Sequence, residues 1–341
     1  MKKSIIITGI AFFIAGMGIK PFIIANAKTP AVKPTINKQQ SNTPVNTPVN
    51  TPVNTPKITP AAKAKVELIS AGAEPRQELR IKPVVGTREL ADMKVNVDMV
   101  ISFEGKPSPA FKMPATIMKT DVVVTKVEPN GDVHYEFSYK DVDVQGDTSL
   151  PPAAISKMRG EIKKLTGMKG TAVVDSRGQT KQANLTLPQG IDNSLKQYID
   201  QFSNSMQQLS TPFPLEAVGV GAKWRTTESV NVSGMTVNQS ALYELVSMKD
   251  NLATFNVTIE QQVPGQQKLN LPQAPAGVTM TVKSYDGKGQ GQAQINMNKL
   301  MPVSSNVSIS ANSLWGMTPA NSKKEITMNQ QMSIQMTIDS K

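Results

Sequence analysis

The sequence predicts an α+β, mainly β, protein built on a large curved antiparallel sheet, at the limit a half-barrel, covered by two amphipathic helices. Long stretches after residue 87 alternate apolar and polar residues, and two other stretches repeat apolar residues every three or four positions. Proline, glycine and asparagine clusters punctuate these stretches and mark the turns.

The first long strand is read from Val95, Val97, Met99, Ile101 and Phe103 on one face, with Asn96, Asp98 and Ser102 on the other. Val122 to Val127 continues the sheet. The turn signal Glu128-Pro129-Asn130-Gly131-Asp132 then returns the chain with Val133, Tyr135, Phe137 and Tyr139 inward. A helix is expected from about Pro151-Pro152 to Leu165, with Ile155, Met158, Ile162 and Leu165 on one stripe and Gly167 closing it. Thr171 to Val174 and Lys181 to Leu187 read as a hairpin. A second helix is expected from Ile191 to Leu209, with Ile191, Leu195, Ile199, Phe202, Met206 and Leu209 along its apolar stripe.

Beyond Pro212 and Pro214 the pattern is almost all strand. The expected segments are Lys223 to Val232, Ser240 to Ser247, Ala253 to Gln261, Gly277 to Tyr285, Gly289 to Met297, Val303 to Ala311 and Glu325 to Ile338. The last is the most explicit: Ile326, Met328, Met332, Ile334, Met336 and Ile338 share a face, with Gln330 polar within the apolar set. Strands this long, each with one polar face, imply a large twisted sheet whose apolar side must be covered.

The N-terminus reads as an export signal. Lys2 and Lys3 precede the apolar run Ile5 to Ile19, and Ala25-Asn26-Ala27 places small residues where a signal peptidase reads, giving a signal peptide over residues 1–27. The alternative is an uncleaved anchor, since Ile5 to Ile24 approaches bilayer thickness if Lys20 snorkels. Residues 28–60 form a linker in which Asn-Thr-Pro-Val recurs, and a proline every four residues forbids a regular helix or internal strand. Residues 61–86 are an ambiguous lead-in, with Ala61 to Ile69 compatible with a short helix. Residues 87–341 form a single β-rich domain, long enough to bury a core without disulfides.

Composition narrows the function. The formal charge of +11 is concentrated in the signal and linker; the domain from Thr87 carries 25 Lys and Arg against 23 Asp and Glu. That is too little for a phosphate-backbone footprint, so no nucleic-acid partner is expected. Cysteine is absent, which removes thiol chemistry and Cys-ligated metals. His134 is the single histidine and lies on a polar strand face beside Glu136. No carboxylate pair shows catalytic spacing. Neither a catalytic centre nor a cofactor is expected.

Gly287-Lys288-Gly289-Gln290-Gly291 lacks the Gly-Lys-Ser/Thr ending and the helix of a phosphate cradle, and is read as a tight or bulged hairpin. Met328, Met332 and Met336 lie about 13 Å apart at strand rise, too far for one soft metal ion to bridge.

The segment Pro212-Phe213-Pro214-Leu215-Glu216-Ala217-Val218-Gly219-Val220-Gly221-Ala222-Lys223-Trp224, with Gly287 to Gly291 and Leu300-Met301-Pro302-Val303-Ser304, resembles a family of uncharacterised bacterial envelope proteins, often lipoproteins. The resemblance covers about residues 87–341 and implies an envelope location, with no activity or ligand to carry over; this chain departs from the lipoproteins in having no cysteine. At the level of fold, the succession of long strands and amphipathic helices is similar to periplasmic lipoprotein carriers, whose curved sheet closes over helices around an acyl-binding cavity. Fold analogy alone does not establish function.

Eighteen methionines supply pliable apolar lining. Met158, Phe202, Met206, Trp224, Met297, Met328, Met332 and Met336 are the expected lining of a site for a lipid or other apolar ligand. Lys157, Arg159, Lys163 and Lys164 on the first helix are the expected contacts to anionic headgroups. Both readings compete with a filled core and a solvated helix face. The function expected is therefore a non-catalytic envelope protein that binds an apolar ligand, with a structural or protein-interaction module as the alternative.

Overall fold

A computed structural model describes residues 64–186, 188, 213–232, 235–269, 277–320, 322 and 324–341. Within these residues fifteen strands and one helix run in the order β1 (Lys65–Ser70), β2 (Arg88–Phe103), β3 (Lys106–Pro107), β4 (Phe111–Lys112), β5 (Ala115–Val127), β6 (Val133–Gln145), α1 (Pro152–Lys163), β7 (Lys169–Val174) and β8 (Thr180–Thr186). They continue as β9 (Lys223–Val232), β10 (Met235–Lys249), β11 (Leu252–Gln262), β12 (Gln267–Leu269), β13 (Thr279–Asn296), β14 (Ser304–Thr318) and β15 (Ile326–Ser340).

All fifteen strands join one antiparallel sheet in the order β1-β9-β10-β11-β13-β14-β15-β2-β5-β6-β7-β8. The short β12 extends the pairing of β13, while β3 and β4 fold back on β2. The alternation read from the sequence sets the faces: in β2 every second residue from Glu89 to Ile101 is buried. The turn at Glu128 to Asp132 forms as expected, with Gly131 at φ 85° supplying the left-handed residue.

The sheet is open, and its two extremes are brought together by irregular chain rather than by a ladder. The Phe213 amide donates to the Arg177 carbonyl at 2.8 Å, in the turn between β7 and β8. The Phe213 ring meanwhile packs on Trp224 of β9 and Phe255 of β11. Likewise the Ile81 amide donates to Ser176 and the Lys82 amide to Met297. Segments 71–87 and 213–222 therefore cross the interior near one end of the sheet. Bulges after Leu68, Lys119, Val124, Val173, Leu245 and Val282 add the local twist that lets so wide a sheet curl.

We call the end where β2 starts the base and the opposite end the rim. The main core fills the base and middle. Leu79, Ile81, Phe213 and Val218 from the crossing segments join Ile162 of α1, Leu165 and Met168 against the inward residues of the strands. Met297, Leu300 and Met301 complete it below β14.

Three expectations are corrected. Covering by two helices is not borne out: α1 is the one helix among the described residues, the crossing segments supply the rest of the described cover, and Ile191 to Leu209 lies outside the described residues. Ala61 to Ile69 contains a strand, β1, because Val66 and Leu68 are half-buried while Lys65 and Glu67 are exposed, a period of two. Gly287 to Gly291 is not a hairpin; the 18-residue strand β13 runs straight through it. None of these three glycines has the positive φ that a tight turn requires. All three share one parity of the strand, and side chains from the adjoining strands occupy the space they leave.

Candidate functional site

Register aligns the inward residues into rows that cross the sheet. One row runs Met99, Met332, Ala311, Gly287, Gln261, Gln239, Glu228. The next row toward the rim holds Ile101, Gln330, Ser313 and Tyr285. These two rows form a polar seam across an otherwise apolar face.

Within the seam the Tyr285 hydroxyl donates to Gln261 Oε1 at 2.9 Å, Gln261 Nε2 to Gln239 Oε1 at 2.7 Å, and Gln239 Nε2 to Glu228 Oε1 at 2.8 Å. Burial first, and the neighbouring Asp286 charge second, push the Tyr285 phenol above its ordinary range, so it remains a donor. Gln261 is fully buried, so its partners replace the water it has lost. Gly287 makes room for this chain: a Cβ there would stand 2.9 Å from Gln261 Oε1 and 3.2 Å from the Tyr285 hydroxyl. Farther along, Trp315 Nε1 donates to Ser313 Oγ at 2.7 Å, and Gln330 Nε2 lies 3.0 Å from Met99 Sδ.

The seam marks where the core changes character. On its base side, loops and α1 pack on the sheet. From the seam toward the rim are two apolar clusters, which share Met99, Ile101, Tyr285, Ala311 and Met332 with its rows. One gathers Val230, Met235, Val237, Val282, Tyr285 and Ala311, with Val263, Leu269, Trp315 and Met332 beside it. The other gathers Met99, Ile101, Met280 and Met328, with Phe103, Trp315 and Met317 beside it. Among the described residues these two clusters are made of strand side chains and Val263, with no helix or crossing segment packed into them.

The expected lining residues are distributed across this divide. Trp224 is 1% exposed, stacked on Tyr243 and edge-on to Phe213 and Phe255, which makes it an anchor of the main core. Met297 and Met336 are buried in the same core, and Met158 packs on it from α1. Met332 touches both the main core and the first rim cluster, and Met328 belongs to the second. Phe202 and Met206 lie outside the described residues. The structure therefore brings Met328 and Met332 together with Met99, Met280, Met317 and Trp315, residues that sequence reasoning did not join to them.

The seam itself was also missed. Its signal was present in the parity of Gln239 and Gln261, polar residues at inward positions of apolar sets, as at Gln330.

The helix cations are engaged. Arg159 Nε donates to Asp143 and its Nη2 to the Val144 carbonyl, Lys163 pairs with Asp141 and Asp143, and Lys164 with Glu161. Lys157 is exposed. His134 Nε2 lies 2.9 Å from Glu128 Oε1. Lys126 first, then His134, holds the Glu128 carboxyl below its ordinary range. Among the described residues no three His, Asp or Glu side chains converge as a metal set, and no helix is long and apolar enough to cross a membrane.

Residues 155–301, from α1 to the turn before β14, match a family of unknown function, DUF6263. No curated protein matches the chain. Among solved structures, in-vitro folded OmpT, an outer membrane protein of Vibrio cholerae in its trimer form, aligns at 8% identity over 74% of this chain and 100% of that one. The TM-score is 0.16, too low to imply a shared fold.

Proposed function

We propose that this is an exported, non-catalytic protein of the bacterial cell envelope that binds an apolar ligand of acyl type against the rim half of its sheet. The observation that carries the reading is the pair of rim clusters, built from strand side chains while the base half is filled by crossing segments and α1. Met99, Met280 and Met328, buried, and Met317, half-buried, supply an adaptable apolar lining, suited to flexible chains rather than to a rigid ring. The hydrogen-bonded seam beside them sets a polar border to this apolar region, where the polar end of an amphiphile would meet amide and hydroxyl groups only by exchanging their present bonds. Export rests on the basic, apolar and small-residue sequence of residues 1–27.

The two tryptophans provide the test, since Trp315 lies in the rim clusters and Trp224 in the main core. A brominated fatty acid should quench Trp315 emission, and the Trp315→Phe variant should lose that quenching while Trp224 emission persists. Native mass spectrometry of protein purified from its own envelope should show a co-purifying lipid. No adduct together with no quenching would sink the ligand reading.

The packed base half favours a second reading, a structural or protein-interaction module. It predicts an intact fold in preparations free of lipid and no response to the brominated acid.

A further inference from the structure

Of the side chains whose exposure the structure describes, the eight large hydrophobic ones that are exposed all lie at the base of the sheet. Val84 and Val85, 70% and 56% exposed, form the turn before β2, and Leu90 follows in the first residues of that strand. Leu215 and Val220 belong to the crossing segment that leads into β9. Ile69, Val127 and Val246 lie near the ends of β1, β5 and β10.

The antiparallel register places these positions at one end: Arg88 pairs with Val123, Ser70 with Lys223 and Lys223 with Glu244. Leu252 then pairs with both Lys249 and Asn296, and Ala91 with Ser340. Scattered single hydrophobics are ordinary on a protein surface, but complete segregation to one end is not.

We infer that the base is a bilayer-contact surface, seated on the lipid interface through aliphatic turn and strand-end residues. The apolar residues project from separate elements rather than lining a groove. No exposed large aromatic accompanies them at this end among the described residues, and of the arginines there only Arg225 of β9 is exposed without an ion pair. Arg80 and Arg177 bond backbone carbonyls, while Arg76 and Arg88 pair with Glu74 and Asp121. The aromatic anchors that dominate protein–protein hot spots are thus missing from this surface, and arginine is represented there by Arg225 alone.

Interleaved with the apolar residues are Lys82, Lys249, Lys299 and Lys341, which make no ion pair among the described residues and whose stems can lie along the interface. Glu67, Glu216, Asp250 and Asp339, equally without ion pairs there, balance them. The contact is therefore driven by apolar insertion and not by headgroup charge.

The absence of cysteine makes single labels unique. In the full chain, Val85→Cys and Leu215→Cys at the base and Lys106→Cys near the rim would each carry a polarity-sensitive fluorophore. Phosphatidylcholine vesicles containing a lipid-borne quencher should blue-shift and quench the two base labels and leave the rim label unchanged. Vesicles with added phosphatidylglycerol, or about 0.5 M salt, should alter the response less than twofold. An unchanged signal at both base labels, or an equal response at all three positions, overturns the proposal. A response confined to anionic vesicles and abolished by salt also overturns it. The base labels are read without any rim ligand, so failure here is separable from failure of the ligand reading.

Discussion

Phe213 holds Arg177 in a reciprocal backbone and side-chain clasp: the Phe213 amide donates to the Arg177 carbonyl at 2.8 Å, and Arg177 Nη1 donates to the Phe213 carbonyl at 3.3 Å. The same Phe213 ring packs at 6.3 Å centroid distance on Trp224, on the far side of the open sheet. One residue thus joins the β7–β8 hairpin to β9. Phe213→Ala should cost about 3–5 kcal/mol of stability, the range for deleting a large buried aromatic side chain. Urea denaturation would measure it. Arg177→Ala removes only a partly exposed hydrogen bond and should cost roughly 1 kcal/mol. Equal losses at the two positions would show that the ring does not bridge the sheet.

Glu89 is 1% exposed and accepts the backbone amides of Leu300 and Met301, the latter at 2.7 Å. A buried carboxylate here fixes the turn that seals the base of the core. Glu89→Gln keeps the shape but turns an NH2 group toward one of two amide donors, and should cost about 1–3 kcal/mol. Glu89→Leu removes both acceptors and should cost at least as much. Chemical denaturation of the two variants would order them.

Much of this architecture was legible because period-two patterning is a local signal. β9 falls on the residues expected for it, β2 extends the expected strand without changing its faces, β5 contains the expected Val122 to Val127, and β6 keeps the expected inward Val133, Phe137 and Tyr139 before a bulge switches its parity to Val142 and Val144. What was not legible depended on pairing. Gly287, Gly289 and Gly291 read as punctuation in one dimension, and become strand interior once Gln261, Ile309 and Val307 fill the space above them. The polar seam arises because Gln239, Gln261 and Tyr285 meet across three strands, and no spacing along the chain encodes that meeting. Trp224 had the composition of a ligand wall and is instead the centre of an aromatic cluster, since only the fold brings Phe213 and Phe255 to it.

Asp121 sits on the outer face of β5, accepting Arg88 Nε and Nη2 at 2.8 and 2.7 Å and lying 3.1 Å from Lys140 Nζ. The Arg88 hydrogen bonds first, opposed by burial and aided by Lys140, lower its pKa to about 2. The folded value is below the unfolded one, so the stabilisation is complete above about pH 4 and is lost as pH falls toward about 2. Its size should be on the order of 1 kcal/mol, because solvent screens the exposed Arg88 and Lys140. Asp121→Asn should flatten the stability curve across that window and leave its slope above pH 5 unchanged. Denaturation midpoints taken at intervals through the acid range would reveal the difference.

Gly289 tests the reading of β13 as continuous strand. A Cβ there would stand 2.8 Å from Ile309 Cγ1 and 2.9 Å from the Ser308 carbonyl oxygen, and the latter belongs to a backbone held in a ladder. Gly289→Ala should therefore destabilise the protein by about 1–3 kcal/mol despite the better strand-forming tendency of alanine over glycine. Gln290→Thr, at an exposed position on the opposite face, should change stability by less than about 0.5 kcal/mol. A tight hairpin at Gly287 to Gly291 would predict the reverse emphasis, with sensitivity set by turn conformation rather than by parity. Thermal unfolding of the two single variants separates these cases, because only a continuous strand makes adjacent residues respond so unequally.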